Sequence, residues 1–224
     1  MALYDFHTHT MLGDGVLSPV ELIRRAIVAG YGALGISEHC GMGMMARLLS
    51  EVRADCELAH KHWGFLALPG VELTHVPAGA VAELAAEARR LGAAFVVVHG
   101  ESPIEPVEPG TNLAAACCPE VDILAHPGLL DEETAAAAAA NGVFLEITAK
   151  FGHNAGNGRV VEMARRAGAR LLLGSDAHEP GHLLSHDYAL TVLLGAGLSP
   201  EEASQVIEAN AREMLDRCLR RIGW

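Results

Sequence analysis

Short apolar runs alternate with helical patterns from one end of the chain to the other, and this alternation constrains the fold more than any other feature. The runs occupy residues 3–6, 33–37, 65–68 with an extension to 73, 95–99, 121–125, 143–147 and 171–173. Several are apolar throughout, as expected of parallel strands covered on both faces. Helix signals lie between them. Ser18-Pro19-Val20-Glu21 reads as a capping box with proline at the first helical position, and Gly30 as its stop. Val81, Leu84, Ala85, Ala88 and Leu91 follow helical spacing up to Gly92. Asp131 is placed to cap a helix through the alanines at 135–140, closed by Asn141-Gly142. Ser199-Pro200-Glu201-Glu202 repeats the capping box and starts a last helix. Arg24-Arg25, Arg89-Arg90 and Arg165-Arg166 end three helices, where basic residues suit the helix dipole and read as structural. Seven strand–helix units imply an α/β fold with parallel strands. A length of 224 residues, half of them hydrophobic, fits one domain spanning 1–224.

An open sheet and a closed barrel both satisfy this pattern, and the polar residues separate them. They fall at the ends of the apolar runs: Asp5-Phe6-His7-Thr8-His9, Ser37-Glu38-His39, Val71-Glu72, Val98-His99, Ala125-His126, Glu146 within the sixth run, and Asp176-Ala177-His178. A barrel gathers the carboxyl ends of its strands around one point, whereas an open sheet spreads seven such ends apart. The residue types point to metal. His7 and His9 are two apart, so on a strand they share a face, as do Asp176 and His178. Imidazole with carboxylate, and no cysteine, suits zinc, manganese or iron better than calcium. There are too many such groups for one tetrahedral zinc, so a multinuclear site is expected.

The same stretches resemble the polymerase and histidinol phosphatase (PHP) family. They are Asp5-Phe6-His7-Thr8-His9-Thr10, Gly13-Asp14-Gly15, Ser37-Glu38-His39, Gly70-Val71-Glu72, Val98-His99-Gly100, Ala125-His126-Pro127 and Gly174-Ser175-Asp176-Ala177-His178, in the family's order along nearly the whole chain. The resemblance implies a distorted (βα)7 barrel, three divalent metal ions and phosphoester hydrolysis. It implies that one ion takes His7, His9, Glu72 and Asp176. A second shares Glu72 and adds His99 and His126, and a third takes Asp14, His39 and His178. For Asp14 the alternative is a plain turn residue in Gly-Asp-Gly. A hydroxide bridging the ions, held by Glu72, His7, His9 and Asp176, is then the expected nucleophile. Cys40, beside His39, is expected to be a bystander.

Other candidates surround this set. Asp5 shares the strand face of His7 and is placed either to orient an imidazole or to serve the fold alone. Glu146 is placed either to support the site or to pair with Lys150. Related proteins often carry asparagine two residues after this glutamate, where this chain has Thr148. Lys150, His153 and Arg159 lie on a glycine-containing stretch after the sixth run, as cations for a phosphate or as solvated surface groups. His75 is a candidate for the mouth of the site. His60 and His62, two apart on a helix, read as solvated.

The formal charge is −12, from 16 Lys and Arg against 28 Asp and Glu. It weighs against long nucleic acid held by backbone phosphates and against an anionic membrane surface. Aromatic residues are 4% of the chain, too few for a base-stacking platform. A small anionic substrate held by metals is not excluded, because three divalent ions would bring −12 to about −6. The five cysteines form no CxxC pair, no run is long enough to span a membrane, and the start Met-Ala-Leu-Tyr-Asp resembles no secretory leader. A reduced, cytoplasmic protein is expected. The expected function is a metal-dependent phosphatase acting on a small phosphomonoester such as histidinol phosphate. The alternatives are a nucleotide phosphodiesterase or nuclease using the same site, and a non-enzymatic domain stabilised by metal. Natural substrate, metal identity and oligomeric state are not legible in the sequence.

Overall fold

The computed structural model of the chain describes residues 2–223. Seven parallel strands follow sequence order, each hydrogen-bonded to the next: β1 (Leu3–Asp5), β2 (Tyr31–Cys40), β3 (Leu66–Leu73), β4 (Phe95–His99), β5 (Ile123–Ala125), β6 (Phe144–Thr148) and β7 (Leu171–Gly174). The helices that cover them are α1 (Pro19–Val28), α2 (Met42–Trp63), α3 (Val81–Arg90), α4 (Thr111–Ala116), α5 (Glu132–Asn141), α6 (Asn157–Ala167) and α7 (His186–Gly195). Then come α8 (Pro200–Gln205), a π turn over Val206–Asn210 and α9 (Ala211–Ile222). Beyond their ends, β1 and β7 meet through a parallel bridge between Thr8 and Ala177, and the His9 N–H donates to the Ala177 carbonyl at 2.8 Å. The fold is the expected distorted (βα)7 barrel, nearly closed. Among the described residues no helix is long and apolar enough to cross a membrane.

The local signals explain most boundaries. Asp131 caps α5 by accepting the Thr134 N–H at 2.7 Å, and Gly142 ends it with a φ of 72°. The box at Ser199 and Glu202 is complete. At Ser18 only half of it forms, because Glu21 turns its carboxylate to Arg25 at 2.8 Å instead of back to the cap. The last helix starts where expected, but the π turn divides it into α8 and α9. Strand β2 is longer than its apolar run, because it stays in register with β3 from Ala33 opposite Leu66 to Cys40 opposite Leu73. That extension carries Ser37, Glu38 and His39 to the barrel mouth. Arg89 at the end of α3 ties down Asp122 at 2.5 Å and the Glu120 carbonyl at 2.6 Å, a structural role.

Two apolar layers stabilise the barrel. The outer one lies between strands and helices, with Leu34, Ile36, Val71, Val96 and Leu145 turned outward. The inner one fills the barrel with Phe6, Ala33, Leu68, Phe95, Ile123, Phe144 and Leu172. Helix α9 closes the floor with Met214, Leu215 and Cys218. Phe95 lies across the centre, 6.0 Å from Phe6 in an edge-to-face contact. Its ring lies so close to Gly35 and Gly70 that neither position has room for a Cβ. A wide ring on one strand is thus matched by missing side chains on two others. Gly70→Ala should lower unfolding free energy in urea by about 1–3 kcal/mol through overpacking. Adding Phe95→Leu should recover part of that loss, whereas strictly additive effects would refute this account of the centre.

Candidate metal centre

The strand ends deliver their polar side chains to one point. His7 and His9 follow β1, and Asp14 lies on the β1–α1 loop. His39, Glu72 and His99 are on β2, β3 and β4, His126 follows β5, and Asp176 and His178 follow β7. Glu72 is the hub. Its Oε2 is 3.4 Å from His7 Nε2, 3.5 Å from His9 Nε2 and 2.6 Å from His39 Nδ1, and its Oε1 is 3.8 Å from His126 Nε2. Asp176 stands opposite, with Oδ1 3.4 Å from His9 Nε2 and Oδ2 3.8 Å from His126 Nε2. Asp14 faces His178 Nε2 at 3.2 Å and His39 Nε2 at 3.7 Å, so it does more than make a turn. Ligand atoms cluster within 4.8 Å of one another in four groups: His7, His9 and Asp176; His7, Glu72 and His126; His9, Asp14, His39 and His178; and His99, His126 and His153.

The donor chemistry fits divalent cations. His7 Nε2, both nitrogens of His9, Glu72 Oε1, His126 Nδ1 and Asp176 Oδ1 are buried with no hydrogen-bond partner. Buried polar atoms in a folded protein nearly always have one. Nε2 of His7, His9 and His126 faces the carboxylates of Glu72 and Asp176, an arrangement that a positive ion between them stabilises. The backbone is strained at the same place. Among the described residues His75, His126 and Asp176 are the non-glycine residues with left-handed φ, at 52°, 26° and 51°.

The electrostatics match. Burial pulls His7 down, but the fields of Glu146, Glu72 and Asp176 outweigh it and hold His7 well above its ordinary range. His39 behaves alike: burial opposes its charge, yet Glu72 and Asp14 raise it from 6.5 to about 9. Burial opposes the charge of Glu72 too, and His39 and His7 overcome that and hold it well below the carboxylate range. For His9 burial, aided by the neighbouring charge of His39, outweighs Asp176 and Glu72 and lowers it to about 3. Asp14 is lowered to about 2, first by its bond from His178. Cys40 is buried and its thiol is pushed up to about 12, which suits a bystander.

The surrounding residues take definite places. Asp5 does not reach an imidazole. Its Oδ1 accepts the N–H groups of His7 at 3.1 Å and Ser175 at 3.3 Å, stapling the exits of β1 and β7. Glu146 does orient a ring: His7 Nδ1–H donates to its Oε1 at 2.7 Å, and the His126 N–H donates to its Oε2 at 3.0 Å. Its carboxylate passes so close to Gly174 that a Cβ there would collide with it. Glu146 therefore serves the site rather than Lys150. Lys150 turns inward instead, with Nζ 2.7 Å from His178 Nδ1 and 3.5 Å from Asp176 Oδ1. Arg159 is not brought to the site, because its guanidinium is held by the Leu130 carbonyl at 2.9 Å and Glu162 at 3.0 Å. His75 stands at the mouth and bonds Glu105 at 3.1 Å. His153 is buried against His126, with ring centroids 4.3 Å apart. Thr148 is buried; its carbonyl accepts from the Asn157 amide at 2.9 Å and its hydroxyl from the Lys150 N–H at 3.2 Å. His60 and His62 are exposed on α2.

Three contributors escaped sequence reasoning. Thr74 holds His39 Nδ1 through its hydroxyl at 2.8 Å. Glu38, fully buried, accepts the Thr10 N–H at 3.0 Å and anchors the β1–α1 loop that bears Asp14. Its place at the end of the second apolar run, between Ser37 and His39, was its available signal. Glu105, on the proline-containing loop after β4, meets three histidines, and nothing in its local sequence marks it. A cavity of about 450 Å3 opens beside the cluster, lined by Lys150, Phe151, Ser175, His182, Leu183 and Tyr188.

No protein-family model matches the chain. A protein of Edwardsiella ictaluri named a probable phosphatase is 35% identical over 150 residues, 59% of this chain and 60% of that protein. Among solved structures, a chain in the cryo-EM structure of archaeal ribonuclease P with mature tRNA superposes with a TM-score of 0.73 at 16% identity, over 99% of this chain and 93% of that one. The structures of YwqE from Bacillus subtilis and CpsB from Streptococcus pneumoniae, described as metal-dependent tyrosine phosphatases, give 0.62 at 16% identity over 96% and 95%. Both likenesses concern the fold. The uncharacterized protein MJ1295 of Methanocaldococcus jannaschii is 42% identical over 215 residues, 96% of this chain and 99% of its own, and the chain therefore belongs to the same family as MJ1295.

Proposed function

We propose that the chain is a metal-dependent phosphatase that hydrolyses a small phosphomonoester of the histidinol phosphate type. The observation that carries this reading is the set of buried, unpartnered imidazole and carboxylate atoms at the barrel mouth. His7, His9, Glu72 and Asp176 hold one divalent ion, Glu72 with His99 and His126 a second, and Asp14 with His39 and His178 a third. Manganese, zinc and iron all suit this donor set. Such ions, when bound, act as Lewis acids toward phosphate oxygens and bring the pKa of a bound water near neutrality.

The chain's own groups supply positioning. Glu146 fixes His7 with Nδ1 protonated, so that Nε2 presents its lone pair inward. Lys150, partly buried beside Asp176, offers a cation to a phosphate oxygen. The adjacent cavity, with Phe151, Leu183 and Tyr188 in its wall, accommodates the organic part of a small ester. The net charge of −12 disfavours long nucleic acid.

Catalytic efficiency on histidinol phosphate, sugar phosphates, phosphotyrosine, a nucleotide bisphosphate and single-stranded RNA, compared with manganese supplied, tests the reading. Phosphate release is expected to be fastest from a small phosphomonoester. Preference for RNA or the bisphosphate would assign the site to a nuclease or nucleotide phosphodiesterase instead. His7→Ala and Asp176→Ala should lose bound metal and at least a hundredfold in kcat/KM. If both bind metal as the parent does, and no ester is cleaved, the proposal fails. Glu146→Gln, which keeps the shape but weakens the bond to His7, should cost about 10–100-fold in metal affinity or activity.

The pH dependence follows from the raised histidines. A group raised on folding contributes stability that is complete below its unfolded pKa and lost through its folded one. For His39 that window runs from 6.5 to about 9, and His7 acts in the same direction. Chelator-treated protein should therefore melt several degrees lower at the upper end of this window than at the lower. Manganese should shrink or reverse the difference, because the metal replaces those protons and binds better once they leave. Equal slopes with and without manganese in calorimetry would count against these histidines as ligands.

A further inference from the structure

The β4–α4 loop sends Glu105 back over the mouth of the barrel. Its Oε2 lies 3.2 Å from His99 Nε2 and 3.1 Å from His75 Nε2, and its Oε1 lies 3.3 Å from His153 Nε2. His153 arrives from the β6–α6 side. It is only 4% exposed, its ring packs on that of His126, and its Nδ1 is buried with no hydrogen-bond partner. One nitrogen from each of His99, His126 and His153 falls within 4.8 Å of the other two.

His99 decides what this arrangement can bind. Its Nδ1 lies 3.0 Å from the Gly100 carbonyl, which only accepts, so in the neutral ring the proton is on Nδ1 and Nε2 presents a lone pair. That lone pair faces a carboxylate oxygen. Two acceptors at this separation repel unless a cation lies between them. A proton bridges one such pair, whereas one carboxylate here meets three imidazoles. A divalent ion satisfies several donors at once, and imidazole with carboxylate is a donor set it takes readily.

We propose that His153 and Glu105 are additional protein ligands of the ion that takes His99 and His126. His153 is the buried, permanent one and Glu105 the exchangeable one. Glu105 is partly exposed on its loop, so it would be the ligand open to exchange. The inference rests on the metal centre proposed above, but its test reads metal binding and not hydrolysis.

The protein is stripped with chelator, loaded with cobalt(II) and passed through gel filtration. Cobalt per chain, the visible d–d absorption and the chelator concentration that releases each ion are then measured. His153→Ala should give up one ion at a chelator concentration at least about tenfold lower than the parent and should alter the d–d spectrum. Glu105→Gln, a substitution at a partly exposed loop position with little consequence for folding, should shift the spectrum and weaken retention of the same ion. His153→Asn, read alongside far-UV circular dichroism, separates ligand loss from misfolding, because a folded variant with the weaker ion supports the assignment. If a folded His153 variant keeps the parent's cobalt content, spectrum and release profile, His153 is not a ligand. The same result for Glu105→Gln removes Glu105. A parent chain that takes up no cobalt would overturn the metal centre itself, whereas a cobalt-loaded parent that cleaves no phosphoester leaves this assignment standing.

Discussion

Glu72 is the constraint on which the site depends. It is a fully buried carboxylate on β3, within 4 Å of His7, His9, His39 and His126. A lone buried carboxylate pays a heavy desolvation cost, and it stays ionised here only because positive charge surrounds it. Without metal, protons on His7 and His39 meet part of that need. In the proposed metal-bound state, Nε2 of His7 and Nε2 of His39 would give up their protons and serve as ligands. Protonation and metal binding are thus competing ways to satisfy one charge, which links folding stability, pH and the proposed chemistry.

Packing holds the acceptors in place. Phe95 fills the barrel where Gly35 and Gly70 leave room, and helix α9 closes the floor, so the strands cannot relax away from the crowded mouth. The stapling of His7 and Ser175 by Asp5 fixes the seam between first and last strands, just below the point where His9 meets the backbone of Ala177. Left-handed backbone at His126 and Asp176 is tolerated because the apolar layers and these hydrogen bonds over-determine the position. This is the usual relation between a rigid barrel and a strained set of functional loops.

Most of the proposed ligand residues were legible because they sit at the end of an apolar run and belong to a residue type with few other reasons to be buried, whereas Asp14, exposed on the β1–α1 loop, rested on the family resemblance alone. Supporting residues were harder to assign. Asp5 and Glu146 are both acids on strands, yet one serves the backbone and the other an imidazole. Only the path beside Gly174, where a side chain would block the way, distinguishes them. Lys150 and Arg159 have the same charge and follow the same strand, but Lys150 lies in the loop after β6 and Arg159 in the first turn of α6. Lys150 turns in toward His178, and Arg159 is captured by a carbonyl and a neighbouring acid. Local sequence carries no record of such long-range partners.

By itself the sequence determined the class of fold, its parallel strands and which imidazoles and carboxylates gather at one end. Period, strand-end chemistry and two-residue spacing are local properties, and each is written directly in the chain. Tertiary structure decided which carboxylate orients His7, that Arg159 faces away, and that Glu105 and His153 meet from opposite loops above His99. Those outcomes depend on distances between residues far apart in the chain, which exist only once the barrel has closed.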